Sequence, residues 1–164
     1  MTASTPTSAS ASRLLGIYLR NHEAAAQAGA DLFVRMRRSQ SGRPWGPVLA
    51  DLTEDVVEDL RSLRTLLHAW HVRPAPWAAL GLRTGERLGR LKPNGHLLSR
   101  SPLSDLVEVE AGLDAVHAKA AGWRSLVAAT TPPAPLDLRA LVTRADDQVD
   151  RLRTVHEQVA AAVL

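Results

Sequence analysis

Apolar residues recur at helical spacing through four long stretches of the chain, and no stretch keeps the two-residue alternation of a half-buried strand. The first stretch, about residues 13–38, carries Leu15, Leu19, Ala26, Gly29, Phe33 and Met36 on one stripe. The second, about 46–71, carries Leu49, Leu52, Val56, Leu60, Leu63, Leu67 and Trp70. The third opens at Ser101-Pro102, where serine is a good N-cap, proline suits the first helical position and Asp105 stands in the first turn. Its stripe is Leu106, Val109, Leu113, Val116, Ala120, Trp123 and Val127. After the prolines of TTPPAP, a fourth stripe runs through Leu138, Val142, Ala145, Val149, Leu152, Val159 and Val163. Between the second and third stretches Pro74 and Pro76 break the chain, a short helix is expected over about 77–91, and Pro93-Asn94-Gly95 reads as a turn. The pattern predicts an all-α four-helix bundle, up-down-up-down, with a short extra helix in the central crossover.

Composition sharpens this picture. A chain of 164 residues fits one domain. With 45% hydrophobic but only 4% aromatic residues, its core must be Leu, Val and Ala, which suits helices that approach closely. There is no cysteine, which excludes disulfides, thiolate metal sites and cysteine catalysis. The opening MTASTPTSASAS has neither an apolar core nor a basic flank, so residues 1–12 are expected to be a disordered tail rather than a secretory leader, with one domain over 13–164. No apolar run approaches the roughly 18 residues of a membrane span, and the expected location is cytoplasmic.

The net charge is +3 and the basic residues are nearly all arginine, Lys92 and Lys119 being the only lysines. The surplus is local: Arg83, Arg87, Arg90, Lys92 and Arg100 stand against Glu86, an excess of about +4. Arg83, Arg87 and Arg90 share a helical face, and the helix start at Ser101 attracts anions. This segment is a candidate anion site, for a phosphate, a polyanion or a protein partner. It reads first as a connector capping one end of the bundle and second as a binding feature, and no aromatic interleaves the cations for base stacking.

Polar residues also interrupt the apolar seams. His22 and His156 fall within the stripes of the first and last helices, and Asp59 and Glu110 lie at the shoulders of the second and third. In an up-down-up-down bundle their depths come out at roughly 13, 18, 12 and 12 Å for His22, Asp59, Glu110 and His156, nearly one level. Two imidazoles and two carboxylates suit iron, manganese or zinc. Plain His–carboxylate hydrogen bonds satisfy the same groups without a metal. Asp114 and His117, one turn apart, read as a solvated surface pair, while His68 and His71 complement the dipole at the end of the second helix. No serine sits in Gly-x-Ser-x-Gly and no phosphate-loop pattern occurs, so neither chemistry has support. The run AAAQAGA in the first helix permits close packing, within the chain or in a homodimer.

Tyr18-Leu19 with His22 and Gly29, Glu58-Asp59, GRLKPNG, RSPLSDLVEVE, and Lys119 with Trp123 together resemble a mainly actinobacterial family of short helical-bundle proteins. The resemblance covers most of the chain after the tail. It implies a ferritin-like bundle and supplies no reaction. The sequence departs from the ferritin pattern in lacking any Glu-x-x-His, the nearest relative being Asp114-Ala-Val-His117. Two expectations result: a metal-binding bundle using His22, Asp59, Glu110 and His156, with redox or metal-handling activity, and an interaction module contacting protein or polyanion through the basic crossover.

Overall fold

The computed structural model describes residues 8–73, 101–131 and 136–164. Among them the chain forms four helices and no strand: α1 (Ser8–Ser39), α2 (Gly46–Ala69), α3 (Pro102–Ala129) and α4 (Leu138–Val163). The starts of α2, α3 and α4 fall where the pattern puts them. Helix α1 begins earlier than expected, so residues 8–12 continue the helix instead of belonging to a tail; they alternate serine with alanine, the best helix former. The short helix expected over 77–91 and the Pro93-Asn94-Gly95 turn lie outside the described residues.

The ends have identifiable chemistry. The Ser101 hydroxyl accepts a hydrogen bond from the Leu103 amide at 3.3 Å, with Pro102 following in the first turn. At the start of α4, Asp137 accepts from the amides of Arg139 and Ala140 at 2.9 and 3.2 Å. Helix α2 ends in a Schellman arrangement: the Val72 amide reaches Leu67 O at 2.8 Å and the His71 amide reaches His68 O at 3.0 Å. His71 adopts φ of 53° to make this turn, a left-handed position usually left to glycine.

The register of side-chain contacts fixes the direction of each helix. Arg64 on α2 bonds Glu23 and Gln27 on α1, while Thr53 bonds the Phe33 carbonyl, so α1 and α2 are antiparallel. Arg35 on α1 meets Glu108 on α3, and at the other end His22 lies against Gly122, so α1 and α3 are antiparallel too. Arg124–Asp146 and Glu110–His156 make α3 and α4 antiparallel; Asp55–Arg151 and Asp59–Arg144 do the same for α2 and α4. Helices α2 and α3 therefore run the same way. The bundle is up-down-down-up, and the expected up-down-up-down order is corrected. With α1 beside α2 and α3, and α4 beside α3 and α2, α2 and α3 sit on a diagonal.

The core divides into two clusters of Leu, Val and Ala with few aromatics. One contains Phe33, Met36, Leu49, Leu52, Val109 and Leu152; the other contains Leu19, Leu66, Leu67, Trp123 and Leu141. Each fully buried leucine contributes about 1.5–3 kcal/mol. Small residues set the α1–α3 spacing. A Cβ on Gly112 would stand 3.3 Å from Met36 Cε and 3.5 Å from Phe33 Cζ, and one on Gly29 would stand 3.7 Å from Ala115 Cβ.

Candidate functional site

Where α1 presents Ala25, Ala26 and Gly29 to Ala115 and Ala118 of α3, the side chains are too short to fill the bundle interior. A cavity of about 110 Å³ remains. Phe33, Val56, Leu60, Leu63 and Val116 supply apolar wall; His22, Asp59, Lys119 and Trp123 supply the polar groups. Ala25 and Ala118 are exposed and mark where the cavity reaches the surface. A smaller hollow of about 20 Å³ adjoins it, with His22, Leu63, Lys119 and Trp123 common to both.

On one wall Asp59 is buried and fully engaged. Arg144 grips Oδ1 through Nε at 2.8 Å and through Nη2, while Gln148 Nε2 donates to Oδ2 at 3.0 Å. Lys119 Nζ donates to the same Oδ2 and to Gln148 Oε1. Burial pushes the Lys119 ammonium below its ordinary range, and the facing Asp59 carboxylate opposes that shift. A buried carboxylate of this kind is tolerable only because every lone pair is used. Partly exposed Asp55 and Arg151 pair at 2.8 Å beside this cluster.

Two other lining groups are less satisfied. His22 packs its ring on Tyr18, with centroids 4.4 Å apart, and fits against α3 only because residue 122 is glycine: a Cβ there would lie 2.9 Å from His22 Cε1. Burial lowers the His22 pKa, so the imidazole is held neutral. Trp123 is 3% exposed, and its Nε1–H is a buried donor with no hydrogen-bond partner among the described residues. Leaving such a group unpaired costs about 1–3 kcal/mol.

The four residues expected at one level thus fall into two places. His22 and Asp59 line the cavity from α1 and α2. Glu110 and His156 pair with each other at 3.5 Å on a partly exposed face of α3 and α4. The physical reason is the direction of α3. Because it runs with α2, Glu110 lies about 14 Å along the helix from Lys119, the α3 residue that stands level with Asp59. Among the described residues no group of three or more His, Asp or Glu side chains is placed to hold a metal ion. Asp114 and His117 are exposed, as a solvated pair should be. The residues of the basic crossover, Arg83, Arg87, Arg90, Lys92 and Arg100, lie outside the described residues. Within AAAQAGA, Ala24 and Ala30 are buried and Ala26 and Gly29 line the cavity, so the run packs inside its own bundle.

Comparison with protein-family models, curated proteins and solved structures gives no match.

The residues that sequence reasoning passed over are Lys119, Gln148 and Arg144 as the partners of Asp59. A signal existed for Lys119: in a chain that uses arginine almost throughout, one of its few lysines stands a single turn from the tryptophan of the same stripe. None existed for Gln148, which is fully buried in the middle of a polar run.

Proposed function

We propose that this protein is a small-ligand-binding helical bundle whose interior cavity, between α1, α2 and α3, takes a compact and largely apolar molecule. The observation that carries the reading is the cavity itself: apolar walls and a mouth of exposed alanines. Ligand sites have this character, apolar surface with a few convergent polar groups. A void of this size is comparable to engineered cavities that accept benzene, at about 150 Å³. The up-down-down-up order of the four helices supports a ferritin-like classification. It does not support the expected metal set, since Asp59 spends its lone pairs on Lys119, Arg144 and Gln148.

The test uses the full chain with labelled methyl groups and toluene as probe. Toluene is expected to shift the methyl resonances of Val56, Leu60, Leu63 and Val116, and Ala26→Leu, which places a side chain in the void, is expected to abolish those shifts. Unmoved methyl resonances at saturating toluene would refute the reading.

A further inference from the structure

The cavity and the smaller hollow beside it lie in line along the bundle. On α1 the cavity is lined by residues between 22 and 33 and the hollow by residues between 18 and 22; on α3 the corresponding stretches are 115–123 and 119–126. From His22 back to Tyr18 is one turn, so the hollow would lengthen the chamber by about 6 Å if the two were joined.

Four side chains stand where they meet: His22, Leu63, Lys119 and Trp123. Three of these are held by their surroundings. Leu63 and Trp123 are buried in one core cluster, and Lys119 is tied to Asp59 and Gln148. His22 is placed differently. Its ring crosses from α1 to the backbone of α3, where a Cβ on Gly122 would come 2.9 Å from Cε1 and 3.0 Å from Nδ1. Behind it lies Tyr18, with ring centroids 4.4 Å apart, and Tyr18 lines the hollow but not the cavity. The imidazole is therefore a partition, with the cavity on one face and Tyr18 and the hollow on the other. Asp59, Lys119 and Gln148 bond one another, so the choice among apolar occupants falls to the space available, and the position of this partition sets it.

We propose that His22 is the specificity-determining residue of the cavity: its imidazole ends the chamber at the level of Gly122 and limits the occupant to a single ring with a short substituent. The inference rests on the cavity-binding reading above and adds to it what bounds the ligand's length.

The experiment titrates toluene and n-butylbenzene into the full chain, into His22→Ala and into His22→Phe, followed by methyl resonances. Each buried methylene strengthens binding about fourfold where there is room for it, and an overfilled space weakens it. In the wild type, n-butylbenzene is expected to bind about tenfold more weakly than toluene. In His22→Ala the order is expected to reverse, with n-butylbenzene at least about tenfold tighter. His22→Phe, which keeps a ring and loses the nitrogens, is expected to restore the wild-type order. A second measurement needs no variant and decides the matter if His22→Ala does not fold. Toluene is expected to shift the methyls of Val56, Leu60 and Val116, which line only the cavity, and to leave those of Leu19 and Leu126, which line only the hollow, unmoved. Equal shifts in both sets, or one ranking of the two probes in wild type and His22→Ala, would overturn the role of His22 and leave the cavity reading standing. No binding of either probe by any of the proteins would overturn both.

Discussion

Replacing Asp59 by asparagine keeps the shape of the side chain and removes its charge. Two cations then lose their counter-charge. Arg144 is about a third exposed and recovers much of its hydration, so its share is discounted. Lys119 has only 14% of its side chain exposed and cannot. Removing one partner of a buried pair costs about 3–5 kcal/mol, and with Arg144 discounted we expect about 3 kcal/mol. For a chain of this size that is a fall in Tm of about 6–12 °C. The pH dependence gives a second, independent reading. Burial already holds the Lys119 pKa below 10.5, and Asp59 is the largest influence opposing it; without Asp59 it falls further. Between the folded-state pKa and 10.5, the unfolded chain binds a proton that the folded chain does not, so stability rises with pH across that window. The deficit of Asp59→Asn is therefore expected to shrink as pH is raised from about 7 toward 10. Urea unfolding at several pH values measures it. A deficit below about 1 kcal/mol at neutral pH, or one that grows in alkali, would refute the argument that Lys119 is the stranded charge. The double change Asp59→Leu with Lys119→Met, which removes both buried charges, should recover at least half of the loss.

Two further outcomes follow from backbone and packing. Gly122→Ala gains about 1 kcal/mol of helix propensity but pushes a Cβ to 2.9 Å from the His22 ring. Displacing that ring from Tyr18 costs about 1–3 kcal/mol, so the variant is expected to be less stable than wild type, and the same change in a His22→Ala background more stable; thermal melts of the four proteins close the cycle, and a stabilising Gly122→Ala in the wild-type chain would mean the ring is not fixed there. His71→Gly relieves the left-handed backbone at φ 53° and should raise stability by about 1 kcal/mol, or Tm by about 2–4 °C; an unchanged Tm would show that the Schellman turn carries no strain.

Helix positions were legible because their signals are local. Ser101-Pro102 caps α3 as read, and the stripe of α2 from Leu49 to Leu67 is buried at every marked position. Helix direction was not legible, since a periodicity is the same read up or down. That single ambiguity is what scattered the expected metal set: the depth of Glu110 was measured from the wrong end. Asp59 was recognised as an exceptional carboxylate on its helix shoulder, but its partners Lys119, Arg144 and Gln148 come from the other two helices, and only a pairing of helices brings them together. The cavity was invisible for a related reason. Alanine and glycine on one helix signal close approach, and whether the approach closes the space depends on what stands opposite, here Ala115 and Ala118.

The seam between α1 and α3 is unevenly fastened. Near the α1–α2 turn, Arg35 and Gln40 bond Glu108, Arg43 bonds Asp105, and Trp45 Nε1 locks Gln40 at 2.7 Å. Further along, the seam relies on Gly29 against Ala115 and on His22 against Gly122, contacts without a hydrogen bond. The alanine mouth of the cavity lies on this stretch, where moving α1 away from α3 breaks dispersion contacts, each worth about 0.1–0.2 kcal/mol per atom pair. The ion pairs of Asp59 with Lys119 and Arg144 meanwhile hold α2 to α3 and α4. An occupant exchanging with solvent would part the α1–α3 seam there and leave the Asp59 cluster closed.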